Sequence, residues 1–138
     1  MPRFVVLWHE TPPRSPRASH CDLMLEMGDV LWTWELPQWP PVCGTQAVRL
    51  PDHRRDYLEY EGPLTRGRGS VRRLDQGTYE LLGGIHPRIV ARIAGQQHRG
   101  QLVLEELPAE TSSAEAQRAW SVGWVEDTSS EPSEVGGT

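Results

Sequence analysis

Residues 19–36 read SHCDLMLEMGDVLWTWEL. Two apolar-rich runs, 21–27 and 30–36, flank Gly28-Asp29, a residue pair suited to a two-residue hairpin loop, so the stretch predicts two paired antiparallel strands. Alternation sends Cys21, Leu23 and Leu25 to one face, toward a core. His20 and Asp22 go to the other face, roughly 6.7 Å apart along the backbone. At that spacing an imidazole and a carboxylate can close on one metal ion, although an isolated His-x-Asp also occurs as two ordinary surface polar residues. Trp32 and Trp34 share a face of the hairpin, which suits core packing better than base stacking.

Outward from the hairpin, the chain keeps the same texture of short apolar runs between turn residues. Residues 4–8 predict a strand that ends on His9, and the three prolines of 10–19 (ETPPRSPRAS) predict an extended surface loop. A proline-containing loop at 37–44 leads to a short strand at 45–50. Pro51 then opens PDHRRDYLE, which suits a first helical turn over 51–59. Strands are expected at 67–75 and 78–82, paired across Gln76-Gly77, and at 88–94 and 101–106, paired across 95–100. Ser112 with Glu115 matches a capping box, so 113–119 predicts a short helix before a last strand at 120–125. The expected fold is mostly β: one compact β-barrel domain over 1–126 with one or two short helices. Residues 127–138 form a polar, acidic tail expected to be disordered.

The formal net charge of −5 is unevenly placed. Residues 1–104 carry 13 Arg against 11 acids (net +2), and 105–138 carry one Arg against eight acids (net −7). The mildly basic body permits local phosphate contacts but lacks the basic stripe of a tight non-specific nucleic-acid binder. Every basic side chain is arginine, which suits bidentate phosphate contacts and equally reflects a base-composition bias in the coding DNA. Cys21 and Cys43 have neither disulfide-framework nor zinc-knuckle spacing. No apolar stretch approaches the roughly 20 residues of a membrane span, and the start lacks the apolar region of a secretory signal, so a cytoplasmic protein is expected.

A metal site on His20 and Asp22 needs a third ligand, and the candidates are His9 and His53. Imidazole with carboxylate suits Mn²⁺, Fe²⁺ or Zn²⁺. His53 and Tyr57, four apart, would share a helical face and could hold a phosphate and manage its proton. A half-buried tyrosine beside a surface histidine is the plainer alternative. One arginine from each of the pairs Arg54-Arg55 and Arg72-Arg73 is expected to reach a phosphate, with Arg55 and Arg73 as the candidates. His20, Asp22 and a distant His53 also fit the facial triad of a non-haem iron oxygenase, although the chain is short for such a barrel.

In order along the chain, F-V-V-x-x-H (residues 4–9), H-x-D-x-x-L-E (20–26), Gly28 to Trp34, D-H-x-x-D-Y (52–57) and Glu61-Gly62 with Gly67 and Gly69 resemble the 3′-phosphoesterase domain of bacterial DNA ligase D and its standalone relatives. The resemblance spans roughly residues 3–107. It implies a β-barrel enzyme, dependent on Mn²⁺ or a similar ion, that removes 3′-phosphates and 3′-terminal ribonucleotides at primer ends in DNA end repair. A standalone copy would work beside separate end-joining ligase and polymerase proteins. By position, His9, His20 and Asp22 correspond to metal ligands, and His53 and Tyr57 to phosphate-contacting catalytic residues. Two positions depart from the family: Met24 stands where an arginine is usual, and Leu7 where a glutamine is. Arg14 or Arg17 in the longer proline-rich loop is a candidate replacement for the missing guanidinium. The same departures suit an alternative, a catalytically weakened module that binds nucleic-acid ends through the same pocket.

Overall fold

The computed structural model describes residues 1–84, 86–108 and 119–128. Among the described residues nine strands make one sheet: β1 (Arg3–Glu10), β2 (His20–Met27), β3 (Val30–Leu36), β4 (Thr45–Arg54), β5 (Gly62–Pro63), β6 (Ser70–Leu81), β7 (Arg88–Gly95), β8 (Arg99–Glu106) and β9 (Ala119–Glu126). Their order is β1-β2-β3-β4-β9-β8-β7-β6-β5. Because β1 also pairs with β6, eight strands close into a ring, with β5 as a short flap on β6. The result is the expected mostly β barrel.

The β2–β3 hairpin forms as predicted, with Met27 opposite Val30 and Gly28 at φ 64° in the first central position of the turn. The β7–β8 hairpin and the last strand also form where expected. Two expectations are corrected. Residues 67–82 do not fold back at Gln76-Gly77, because β6 runs unbroken through them. Gly77 lies opposite Gly95, and a Cβ on it would stand 2.1 Å from the Ala94 carbonyl oxygen, so this glycine serves close strand approach.

The second correction concerns 51–59, where β4 continues to Arg54 and only a 3-10 turn, Arg55–Leu58, follows. Leu50 pairs with Thr33 and His53 with Leu31, so three steps on β4 match two on β3, and Pro51 sits in that bulge. Strand β9 pairs β4 only from Thr45 to Val48, so the missing N–H of Pro51 costs no ladder bond there. Among the described residues there is no α-helix, only this turn and a second 3-10 turn, Thr65–Gly67. The helix expected at 113–119 falls outside the described residues except for Ala119, which begins β9. The expected disorder of the tail likewise concerns residues mostly outside them. None of the described helices is long and apolar enough to cross a membrane.

Strands β1 and β2 are buried on both faces. Phe4, Val6, Cys21, Leu23 and Leu25 point into the barrel, where they join Trp34, Tyr79, Ile89, Leu102 and Trp120. Val5, Leu7 and Met24 point outward into a smaller cluster with Leu31, Leu58 and Val71, against which Tyr57 and Leu64 pack. The chain from β4 to β6 therefore covers the outer wall of the barrel beside β1 and β2, and the polar residues of that wall lie under cover.

Candidate metal and phosphate site

Outward-facing positions on β1 and β2 bring the first two histidines together. His9 and His20 are direct partners across the strands, with ring centroids 4.8 Å apart, and Asp22 follows His20 on the same face. Asp22 Oδ1 lies 3.3 Å from His20 Nε2, and Asp22 Oδ2 lies 3.6 Å from His9 Nδ1. Ligand atoms of His9, His20 and Asp22 all fall within 4.8 Å of one another, the only such group of three among the described residues. His53 does not join it, so the cluster does not have the His20–Asp22–His53 membership of the oxygenase triad.

Each imidazole has its outer nitrogen committed to a backbone carbonyl. His9 Nε2 donates to the Arg68 oxygen at 2.8 Å, and His20 Nδ1 to the Ala18 oxygen at 2.8 Å. A neutral ring so held turns a lone pair, not a proton, toward Asp22. His20 Nε2 and Asp22 Oδ1 are both buried and have no hydrogen-bond partner: they approach within 3.3 Å without the alignment of a bond. Two imidazole lone pairs and a carboxylate facing one another in a buried space suit a cation between them. Histidines anchored through the remote N–H to carbonyls are the usual supports of a metal. The donor set fits a divalent first-row ion.

Without an ion, protons partly fill this role. Burial alone would depress His20, but the Asp22 carboxylate, the Ala18 carbonyl and Glu35 outweigh it, and the histidine's pKa is raised. Burial likewise pushes Asp22 up, yet its contacts with His20 and His9 prevail and its pKa is lowered.

Gly69 explains how Arg68 reaches His9. At φ 97°, with a Cβ position only 2.0 Å from the Glu10 carbonyl oxygen, it lets the 65–69 turn lie against the end of β1. On the other side, the 11–19 loop is tied at its base, where Thr11 N donates to Ser19 Oγ at 3.0 Å and Thr11 Oγ1 to the Arg17 oxygen at 2.8 Å.

Between these two loops lies a cavity of about 570 Å³ whose walls include the triad, His53 and Tyr57. His53 Nδ1 donates to the Pro51 oxygen at 2.9 Å, which leaves Nε2 for a ligand. Its ring meets Tyr57 edge-on, with centroids 5.4 Å apart at 72°. The pair expected on one helical face thus does meet, brought together by a strand end and a 3-10 turn.

Arg14, Arg17 and Arg68 also line the cavity, whereas Arg55 and Arg73 do not. Arg55 is paired with Glu26, and Arg73 lies 3.8 Å from Glu61 Oε1 while its backbone N–H donates to Glu61 Oε2. Met24 borders the cavity and Leu7 lies beneath it in the outer cluster, so neither offers a polar group at its family position. Sequence reasoning missed two residues here. Arg68 is signalled only by the glycines around it. Glu35 was legible in the hairpin register, because the pairing of Met27 with Val30 also sets Asp22 against Glu35.

A comparison with curated proteins gives no match. The chain does match the family described as the DNA Ligase D 3′-phosphoesterase domain, over residues 13–122, an interval that contains His20, Asp22, His53, Tyr57 and the arginines of the cavity, with His9 just before it. A match over most of the chain makes this protein a member of the DNA ligase D 3′-phosphoesterase domain family.

Proposed function

We propose that the protein hydrolyses phosphate esters at 3′ ends of nucleic acid, removing 3′-phosphates and terminal ribonucleotides, with a divalent ion held by His9, His20 and Asp22. Mn²⁺ is the favoured ion, with Zn²⁺ and Fe²⁺ as alternatives. The observation that carries this reading is a set of buried, unpartnered ligand atoms in the same cavity as the His53–Tyr57 pair.

When bound there, a divalent ion polarises a phosphate oxygen and lowers the pKa of a water. The chain's residues do the rest. His9 and His20 keep their orientation through the carbonyls of Arg68 and Ala18. Hydrolysis forms a bond from water oxygen to phosphorus and breaks the bond to the departing 3′ oxygen, which must gain a proton. His53, anchored through Nδ1, can deliver that proton from Nε2, with the Tyr57 hydroxyl steadying a phosphate oxygen. Arg14 and Arg17 supply positive charge from the cavity rim that Met24 does not.

The test is release of phosphate from a 3′-phosphorylated primer-template in the presence of each ion. Release is expected with Mn²⁺ and should be lost in His20→Ala and Asp22→Ala. No release with any ion or end structure would sink the hydrolytic reading. Metal-assisted binding to the 3′-phosphate end without release would select the second reading, an end-binding module, which is favoured by the apolar Met24 packed beside the site.

A further inference from the structure

Glu35 stands on the outward face of β3 directly opposite Asp22 on β2. Carboxylates paired across strands repel each other, so this arrangement needs a cation nearby. Arg17 provides one by reaching from the proline-rich loop to pair with Glu35 Oε1. The same oxygen lies 3.9 Å from His20 Nε2, the buried nitrogen that has no hydrogen-bond partner and whose ring spends its proton on Ala18. With His20 neutral, Glu35 Oε1 faces a lone pair. The separation from His20 matches two ligand atoms of one first-row ion, which stand roughly 3–4 Å apart when each bond is about 2.1 Å. Held by Arg17, Glu35 is outside the His9–His20–Asp22 group, so its carboxylate must turn toward Asp22 to join the same ion. Arg17 and His20 form a wall shared by the main cavity and a recess of about 450 Å³ that Glu35 lines.

We infer that Glu35 is a fourth protein ligand of the metal centre, and that Arg17 holds its carboxylate until the ion takes it. This rests on the His9–His20–Asp22 reading above. Glu35 approaches from the recess, so the main cavity stays free for the phosphate. Once released, Arg17 remains on the rim of that cavity, where a substrate phosphate is the next anion within its surroundings. A second carboxylate also makes the ligand set harder, which favours Mn²⁺ over Zn²⁺.

Mn²⁺ and Zn²⁺ binding to the metal-free full chain, followed by titration calorimetry and by the Mn²⁺ electron paramagnetic resonance signal, tests this without any turnover. Glu35→Gln keeps the side chain's shape and should weaken Mn²⁺ by about tenfold or more, with a smaller loss for Zn²⁺. Arg17→Ala, which frees the carboxylate, should bind Mn²⁺ more tightly than wild type. Mn²⁺ affinity of Glu35→Gln within about twofold of wild type would overturn the inference and leave the three-residue site standing. Should Glu35→Gln lose its melting transition, Arg17→Ala decides alone, and affinity no greater than wild type overturns the inference. A wild-type chain that binds neither ion would overturn both the fourth ligand and the site it completes.

Discussion

The two faces of β2 are equally buried and chemically opposite. On the inner face, Cys21, Leu23 and Leu25 are at most 1% exposed, and they belong to the apolar and aromatic cluster of the barrel interior. On the outer face, Met24 packs into a small cluster, but His20 and Asp22, only 3% and 5% exposed, have buried atoms without partners. The inner face has its own unpartnered groups, the indole N–H groups of Trp34 and Trp120, whose rings meet edge-on at 5.5 Å. Those are neutral donors, far cheaper to bury than an ionised carboxylate. Depth is therefore a poor guide to function in this wall. What separates the site from the core is burial that packing does not compensate, and that is where a ligand has something to add.

If that contrast is right, truncations on the two faces should respond differently to metal. The largest effect is expected inside. Leu23→Ala empties a fully buried position and should cost about 2–5 kcal/mol in urea unfolding. The loss should be the same in chelator and in Mn²⁺. A loss that shrinks when Mn²⁺ is added would mean that the inner face also supports the site, and the division between faces would fail.

Asp22→Ala probes the outer face. In chelator it should cost some stability at neutral pH, because the lowered pKa of Asp22 means that its contacts with the two histidines outweigh its desolvation. With the metal at a hundred times its Kd, wild type should gain about 2.7 kcal/mol, and the variant should gain almost none. Thermal melts with and without Mn²⁺ read both numbers. An equal metal-dependent rise in both proteins would remove Asp22 from the site.

The same division explains what the sequence made legible. The hairpin was readable because everything that forms it is local: two apolar runs and Gly28-Asp29. The face bearing His20 and Asp22 followed from the period of a strand. His9 needed one more step, its place opposite His20 across β1 and β2, and the residues alone left it level with His53. The errors arose where distant pairing overrode an acceptable local reading. PDHRRDYLE serves as a helix start until Leu31 claims His53, and Gln76-Gly77 serves as a turn until β7 lies against it. The phosphate-arginine expectations met a similar limit. Arg55 and Arg73 have the right chemistry, but Glu26 and Glu61, far from them in sequence, already engage them.

The smallest effect sharpens the comparison from inside the barrel, where Tyr79 carries a hydroxyl into the core. It is 1% exposed, and its hydroxyl donates to the Glu26 backbone oxygen at 2.6 Å, so here a buried polar group is partnered. Burial first, and the nearby Glu26 carboxylate second, push its pKa from the ordinary 10 to about 12. The folded chain therefore keeps a proton between pH 10 and about 12 that the unfolded chain has released. Stability from this group is complete below pH 10 and declines as pH rises through that window. Tyr79→Phe should cost about 1 kcal/mol at neutral pH, the net worth of one hydrogen bond. It should also flatten the decline above pH 10, leaving the metal-dependent gain untouched. Urea midpoints from pH 8 upward measure both. A variant whose midpoint falls as steeply as wild type above pH 10 would show that the inner face is not sealed from ionisation, and that the two faces differ less than their side chains imply.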